Sequence, residues 1–253
     1  MAAPQRMKTQ SSLIYGIRPL LEAIKAGKEI DKVLIKKGLS GDLFMELYRQ
    51  LVKEGIPYQF VPVEKLNRIT NRSHQGVVAF LSMVEYQSLD QLIPFLFDQG
   101  RDPFLVVLDH ITDVRNLGSI GRTAECAGVD ALVVPMKGSA QITADAVKTS
   151  AGALHSLAVC RVASLRNALQ FMQESGIRII AATEKARQEY HRIDYRGPVA
   201  IVLGSEDKGI AEEILSMAHE KVRIPVMGKI ASLNVSNAAA VILYEAVKQR
   251  LQK

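Results

Sequence analysis

The feature that most constrains this sequence is a series of short, buried-type strands alternating with helical stretches through its last two thirds. Phe104–Leu108, Ala131–Val134, Leu157–Arg161, Arg178–Ala182, Val199–Leu203 and Val222–Ile224 are largely apolar, and each is bounded by polar or Gly-bearing segments. Strands that are apolar on both faces are covered on both faces. Strands separated by helix-length segments pair in parallel, so the pattern predicts an α/β fold, a parallel sheet with helices on either side. Helices are expected over Thr143–Ser150, Ser164–Glu174 and Ala238–Leu251. The last carries an apolar stripe at Val241, Tyr244 and Val247, which suits either core or a partner surface. Gln188–Gly197, polar and without period, reads as an irregular surface segment.

In open parallel sheets ligands bind beyond the carboxyl ends of the strands, so the segments directly after strands are where chemistry is sought. After Phe104–Leu108 comes Asp109–Ala124, with Asn116 and Arg122 six residues apart. Asn116 reads as lying at a helix start, where free N–H groups favour anions, with Arg122 able to reach a phosphate. A polar loop with a surface arginine fits the same residues. Thr183 and Glu184 follow Arg178–Ala182, and Gly204-Ser205-Glu206-Asp207-Lys208-Gly209 follows Val199–Leu203. Gly204 would let a backbone approach a ligand closely. The strand ending at Ile224 runs into a Pro- and Gly-bearing loop that closes in Ser232-Leu233-Asn234-Val235-Ser236-Asn237. Serine and asparagine cap helices, but a cap needs one such residue; four, beside a loop able to close, point to a ligand. No Gly-x-Gly-x-x-Gly follows a strand, and there is no nucleophile elbow or metal-ligand cluster. Nicotinamide enzymes, serine hydrolases and metalloenzymes are thereby set aside.

These three segments, in this order, resemble the three motifs of the SpoU (TrmH-like) RNA 2'-O-methyltransferases of the SPOUT superfamily. They are Asn-Leu-Gly-x-x-x-Arg-Thr at 116–123, Leu-Gly-x-Glu-x-x-Gly at 203–209, and Ile-Pro-Met-x-Gly-x-x-x-Ser-Leu-Asn-Val-Ser at 224–236. The chain departs from them with Asp207 where the family often has glycine and Val226 in the methionine position. The resemblance covers essentially the whole chain. It implies S-adenosylmethionine as cofactor, an RNA ribose 2'-hydroxyl as methyl acceptor, and a homodimer with its cofactor sites beside the interface. It also implies a deep trefoil knot at the C-terminus, where connectivity rules alone would draw an unknotted sheet. Carried over residue by residue, it assigns Asn116, Arg122, Glu206, Ser232 and Asn234 to catalysis and substrate placement. Thr183, Gly204, Ile224 and Leu233 are assigned to the cofactor pocket. The family's arginine is proposed as the base, but arginine scarcely deprotonates in proteins, so Arg122 is expected to hold the target phosphate instead.

The first third differs. Of the net charge of +6, residues 1–85 carry +5, from 13 Lys/Arg against 8 Asp/Glu. A basic module beside a near-neutral one fits an RNA-gripping part attached to a catalytic part. Its order of helix, strand, helix, strand, helix, strand describes a small α/β sandwich: Pro19–Ala26 closed by Gly27, Lys32–Ile35, a helix capped by Asp42 and running to Lys53, Tyr58–Val61, Val63–Ile69 and Val77–Leu81. Tyr15 and Arg18, and the loop holding Arg72, His74 and Gln75, offer stacking and amide contacts of the kind single-stranded RNA takes, although a solvated loop has the same composition. Tyr-Gly at 15–16 and Ser-His-Gln-Gly-Val-Val-Ala at 73–79 resemble the L30e-like RNA-binding domain attached to bacterial 23S rRNA guanosine 2'-O-methyltransferases. The expected division is an L30e-like domain over 1–85, a linker over 86–103 and the knotted SPOUT domain over 104–253. The attached module favours 23S rRNA as partner, at a guanosine near the peptidyl-transferase centre. A tRNA methyltransferase and a non-catalytic RNA-binding or ribosome-assembly protein are the rivals. No apolar run approaches membrane-span length. Met1–Ser12 reads as a frayed start to a cytoplasmic protein, and Cys126 and Cys160 as reduced core thiols.

Overall fold

The computed structural model of the chain describes residues 13–230 and 232–252. The frayed start expected over Met1–Ser12 lies outside the described residues. The chain divides into two compact units, residues 1–83 and 84–253.

The first unit contains β1 (Leu13–Tyr15), α1 (Ile17–Lys25), β2 (Ile30–Lys36), α2 (Asp42–Lys53), β3 (Tyr58–Val61), α3 (Val63–Ile69) and β4 (Val77–Leu81). Its sheet runs β1-β4-β2-β3, with β2 and β3 parallel and the other pairs antiparallel. β1, too short to show a period, was not expected as a strand; it is held by Leu13↔Phe80 and Tyr15↔Val78. Alternation along the strands sends Val33, Ile35, Val77 and Ala79 to one face, where they pack with Leu20, Leu47 and Leu51 of α1 and α2. The other face is covered less fully: Leu34, Val61 and Val78 lie under Leu66 of the short α3. Gly27 ends α1 with φ +67°, and the N–H groups of Gly27 and Lys28 return to the carbonyls of Ile24 and Ala23. Asp42 does not cap α2. Gly41 is the cap residue, without a side-chain bond, and Asp42 opens the first turn, where its charge meets the positive end of the helix dipole.

The second unit contains β5 (Tyr86–Gln87), α4 (Leu89–Asp98), β6 (Phe104–Asp109), α5 (Val114–Cys126), β7 (Ala131–Pro135), α6 (Ala144–Thr149), β8 (Ala158–Val162), α7 (Leu165–Glu174), β9 (Arg178–Ala182), β10 (Gln188–Glu189), β11 (Val199–Gly204), α8 (Glu212–Met217), β12 (Glu220–Arg223) and α9 (Val235–Leu251). Its eight strands lie in the order β10-β12-β9-β11-β6-β7-β8-β5, and every pairing is parallel. Helices α4, α7 and α8 cover one face through Ile93, Leu169, Met172, Ile214 and Leu215. α5 packs against α6 and α9, and α9 against β11.

Several expectations change here. The segment 86–103 is not a linker: β5 pairs with β8, and Leu89 and Ile93 of α4 are buried in the core of this unit. Gln188–Gly197 is more ordered than its polarity suggests, with β10 paired to β12 and Tyr195 fully buried. α9 starts at Val235 and buries Ala239, Ile242, Leu243 and Ala246. The stripe at Val241, Tyr244 and Val247 is thus the less buried side, with Tyr244 51% exposed. Cys160 is buried but Cys126, in the last turn of α5, is exposed.

Gly118 and Gly121 act within this packing. A Cβ on Gly118 would lie 2.7 Å from the carbonyl oxygen of Ala146, and one on Gly121 2.7 Å from the side chain of Leu154. Both glycines let α5 lie close against its neighbours, Gly118 against α6 and Gly121 against the turn that leads into β8.

Candidate active site

β6 and β11 are neighbours, yet the chain leaves β6 for α5 on one face and leaves β11 for α8 on the other. The loops beyond their carboxyl ends therefore part, and a crevice opens between them. The register aligns Gly204 with Asp109, so the segments carrying Glu206 and Asn116 start side by side.

At this edge a cavity of about 330 Å³ is bounded by the ends of β9, β11 and β12 and by the start of α9. Thr183, Gly204, Ile224 and Leu233, the expected cofactor residues, all line it, as do Glu206 and Ser232. The volume lies in the range of small-molecule sites. The walls combine apolar Leu203, Val222, Ile224 and Ile242 with charged side chains of both signs, Glu184, Glu206 and Asp207 beside Lys185 and Lys208. A lining that is part apolar and part charged in both signs suits S-adenosylmethionine, which carries a flat ring, a sulfonium and an ammonium, and a carboxylate.

The floor of the cavity is a tight turn. Gly209 donates its N–H to the carbonyl of Ser205, and the Lys208 N–H bonds to the Ser205 hydroxyl. A Cβ on Gly204 would fall 2.2 Å from the carbonyl carbon of Gly209 and 2.4 Å from the nitrogen of Ile210. The backbone that approaches Gly204 is thus the protein's own, not a ligand's. Asp207, standing where the family often has glycine, needs no left-handed conformation, while Gly209 has φ +65°. Buried Asp109 fastens the far end of the turn by accepting the N–H of Ala211 at 2.7 Å.

At the cavity mouth Asn116, Glu206 and Asn234 form one network. Asn234 Nδ2 donates to Glu206 Oε1 and to Asn116 Oδ1, the latter at 3.1 Å, and Asn116 Nδ2 reaches Glu206 Oε1 at 3.4 Å. The Val235 N–H donates to the same carboxylate oxygen at 3.3 Å. Asn234 caps α9, its Oδ1 accepting from the Ser236 N–H at 2.9 Å and the Ser236 hydroxyl at 2.6 Å. One residue thereby starts the final helix and fixes the orientation of Glu206. Ser236, one of the four small polar residues of this segment but given no role from the sequence, holds the side chain of Asn234; its place two residues after a cap asparagine was the available signal.

One expectation is corrected. The amides opening α5 do not await an anion, because Asp113 caps the helix and accepts from the N–H groups of Arg115 and Asn116. Asn116 lies within the first turn and contributes its side chain instead. Arg122 is exposed on α5 and takes no part in the hydrogen bonds of the network.

Comparison with other proteins identifies this arrangement. The profile of the SpoU rRNA methylase family matches residues 103–244. The chain belongs to that family. The profile for RNA 2'-O ribose methyltransferase substrate binding matches residues 13–87. YacO of Bacillus subtilis, assigned by its name to the TrmH family of tRNA/rRNA methyltransferases, is 32% identical over 96% of this chain and 98% of its own length. Among solved structures, the SpoU methyltransferase AviRb from Streptomyces viridochromogenes, in complex with AdoMet, is 27% identical with a TM-score of 0.61, covering 95% of this chain and 91% of AviRb. An RNA 2'-O ribose methyltransferase is similar at 28% identity and a TM-score of 0.56, over 94% of this chain and 88% of that one.

In the substrate-binding unit of this SpoU protein, the Gly16 N–H bonds to the carbonyl of Val77. The Gln75 side chain lies against Gly16, and the Arg72 guanidinium sits 5.5 Å from the Tyr15 ring centre. Tyr15, Arg72 and Gln75 are thereby gathered at one end of the small sheet, and Arg18 is exposed on the first turn of α1. His74 is different. Its Nδ1 accepts the Gly76 N–H at 3.0 Å and its Nε2 lies 2.9 Å from Asn67 Oδ1, so both ring nitrogens are engaged within the fold. It shapes the loop.

Proposed function

We propose that this protein methylates the ribose 2'-hydroxyl of a guanosine in 23S rRNA, near the peptidyl-transferase centre, with S-adenosylmethionine as the methyl donor. The observation that carries the reading is the Asn116–Glu206–Asn234 network at the mouth of a cavity lined by all four expected cofactor residues. Bound S-adenosylmethionine supplies an electrophilic methyl group on a sulfonium. Ile224 and Leu233 hold the apolar part of the cofactor, and the mixed charges of Glu184, Asp207, Lys185 and Lys208 suit its cationic and carboxylate groups. The 2'-hydroxyl is a weak nucleophile, so the site's task is to place it in line and ease the loss of its proton. Asn116 and Ser232 orient the ribose, and Glu206 is held ready to polarise the hydroxyl. Its Oε1 is occupied by Asn234, Asn116 and the Val235 amide, which leaves Oε2 for substrate. Arg122, exposed and outside the network, is free to grip the phosphate of the target nucleotide.

The substrate-binding unit supplies the hold on RNA through Tyr15, Arg18, Arg72 and Gln75. The partly exposed α9 stripe with Tyr244 receives a second copy, making a homodimer, and the C-terminal segment after β12 forms the trefoil knot. The protein works in the cytoplasm. Methylation of tRNA is the second reading, favoured by the tRNA/rRNA designation of YacO. Nucleoside mass spectrometry of rRNA and tRNA from cells with and without the gene separates the two. Loss of one 2'-O-methylguanosine from 23S rRNA alone is expected; loss from tRNA alone overturns the rRNA assignment. Unchanged nucleosides in both would point to a non-catalytic ribosome-assembly role.

A further inference from the structure

We infer that the open face of the N-terminal sheet is a stacking platform for unpaired nucleotides of the RNA substrate, with Tyr15 and Phe80 taking bases and Lys32, Lys65 and Arg72 taking the backbone. The inference rests on the methyltransferase reading above and specifies which form of RNA the substrate-binding unit grips.

The sheet is closed on one face and partly open on the other. On the closed face α1 and α2 cover Val33, Ile35, Val77 and Ala79. On the other, α3 has seven residues and buries only Leu34, Val61, Leu66 and Val78, with Leu13, Tyr15, Ile69 and Phe80 half-buried at the margin. The register fixes what the margin displays. Leu13, Phe80 and Lys32 form one cross-strand row, and Tyr15 and Val78 begin the next. Tyr15 and Phe80 are therefore diagonal neighbours on adjacent antiparallel strands, about 7–8 Å apart. Two rings at that spacing on a sheet face can each stack with a splayed base, the geometry by which sheet domains read single strands.

The charged residues that the register places on this face, Lys32 and Lys36, are both basic, and α3 adds Lys65 and Arg68 to a single Glu64. Lys32 is half-buried in β2 beside Lys65 of α3, and neither forms an ion pair among the described residues. Burial, and after it the charge of Lys65, holds the Lys32 ammonium below its ordinary range. A phosphate between the two lysines would offset both penalties. Arg72 lies over Tyr15 at 5.5 Å, adding a third cation beside the ring. Apart from Asp31, buried at the irregular register beside Lys32, the described strand residues here, Leu13, Tyr15, Lys32, Leu34, Lys36, Gln59, Val61, Val78 and Phe80, include no acid. The exposed rings on the other side, Tyr58 and Phe60, already contact one another and the α2 aromatics Tyr48 and Phe44.

The test uses the full chain, a short unstructured RNA oligomer and the same sequence as a duplex, with binding read by fluorescence anisotropy over a salt series. Phe80→Leu keeps apolar volume but removes the ring, and should weaken unpaired-RNA binding about tenfold while changing duplex binding little. Lys32→Gln with Lys65→Gln should lower the slope of log K against log salt by about 1.4, the loss of two single-strand phosphate contacts. Phe60→Leu, on the opposite face, should bind as the wild type. If Phe80→Leu fails to fold, the lysine pair alone decides. Wild-type protein that methylates rRNA while both sets of variants bind normally overturns the platform and leaves the enzyme reading intact. Equal affinity of the wild type for duplex and oligomer overturns it as well. Wild-type protein that neither binds nor methylates RNA overturns the function itself.

Discussion

Gly204→Ala tests how the cofactor floor is built. The added methyl would lie 2.2 Å from the Gly209 carbonyl carbon, 2.4 Å from its oxygen and 2.4 Å from the Ile210 nitrogen. All three are backbone atoms, so no rotamer change relieves the clash; the Ser205–Gly209 turn must shift as a body. Overpacking of this kind costs about 1–3 kcal/mol. For a unit of this size each kcal/mol lowers the melting temperature by about 2–4 °C, so a fall of about 2–12 °C is expected. Because the same turn positions Glu206 and lines the cavity, S-adenosylmethionine affinity should fall with it. Differential scanning calorimetry and isothermal titration measure the two effects, and Gly228→Ala, with nothing within 4 Å of its added methyl, is the control for stability. A Gly204→Ala variant that melts with the wild type and binds cofactor with unchanged affinity would refute the reasoning.

Asn234→Ala removes both the α9 cap and a donor to Glu206, and should cost about 0.5–2 kcal/mol in denaturant titrations. Asn234→Asp keeps a capping oxygen but turns the donor into a second carboxylate, so it should melt closer to the wild type yet lose methyl transfer at least as fully. Full activity in it would count against the network. In the folded protein a thiol reagent should titrate Cys126 readily and Cys160 only on unfolding, because burial, and next Asp90, push the Cys160 thiol up to about 12. Burial raises the Tyr195 phenol in the same direction. Folded-state values above the unfolded ones give stability that is complete below about pH 8.5 and is lost as pH climbs toward 12, so denaturation midpoints should fall on the alkaline side. In nitrogen NMR, His74 should show the tautomer with its proton on Nε2, since Nδ1 accepts from Gly76; a proton on Nδ1 would contradict the loop geometry.

Most of the sheet was legible because its strands are continuous apolar runs. Tyr58–Val61, Val63–Ile69, Val77–Leu81 and Arg178–Ala182 have the expected boundaries. What was not legible depends on partners distant in sequence. β1 and β5 have three and two residues, too few for a period, and exist because β4 and β8 pair with them. Within 86–103 the helical apolar spacing of Asp90–Phe97 is legible and α4 forms there; that Leu89 and Ile93 join the core of the second unit was not, because their partners lie elsewhere in the chain. In the site, the residue types pointed to a ligand, but their roles did not follow from type. Gly204 answers to a turn closing five residues later, Asn116 is freed from anion binding by Asp113 three residues before it, and His74 is consumed by its own loop. Each was decided by hydrogen bonds or close contacts that spacing alone does not reveal.

Transfer of a methyl group to a ribose oxygen is tested most directly by incubating the purified protein with tritiated S-adenosylmethionine and 23S rRNA from cells lacking the gene, then hydrolysing the RNA in alkali. A blocked 2'-oxygen protects the neighbouring phosphodiester, so the prediction is tritium in an alkali-resistant dinucleotide whose methylated residue is guanosine. Tritium recovered only in ordinary mononucleotides would place the methyl on a base and contradict ribose methylation.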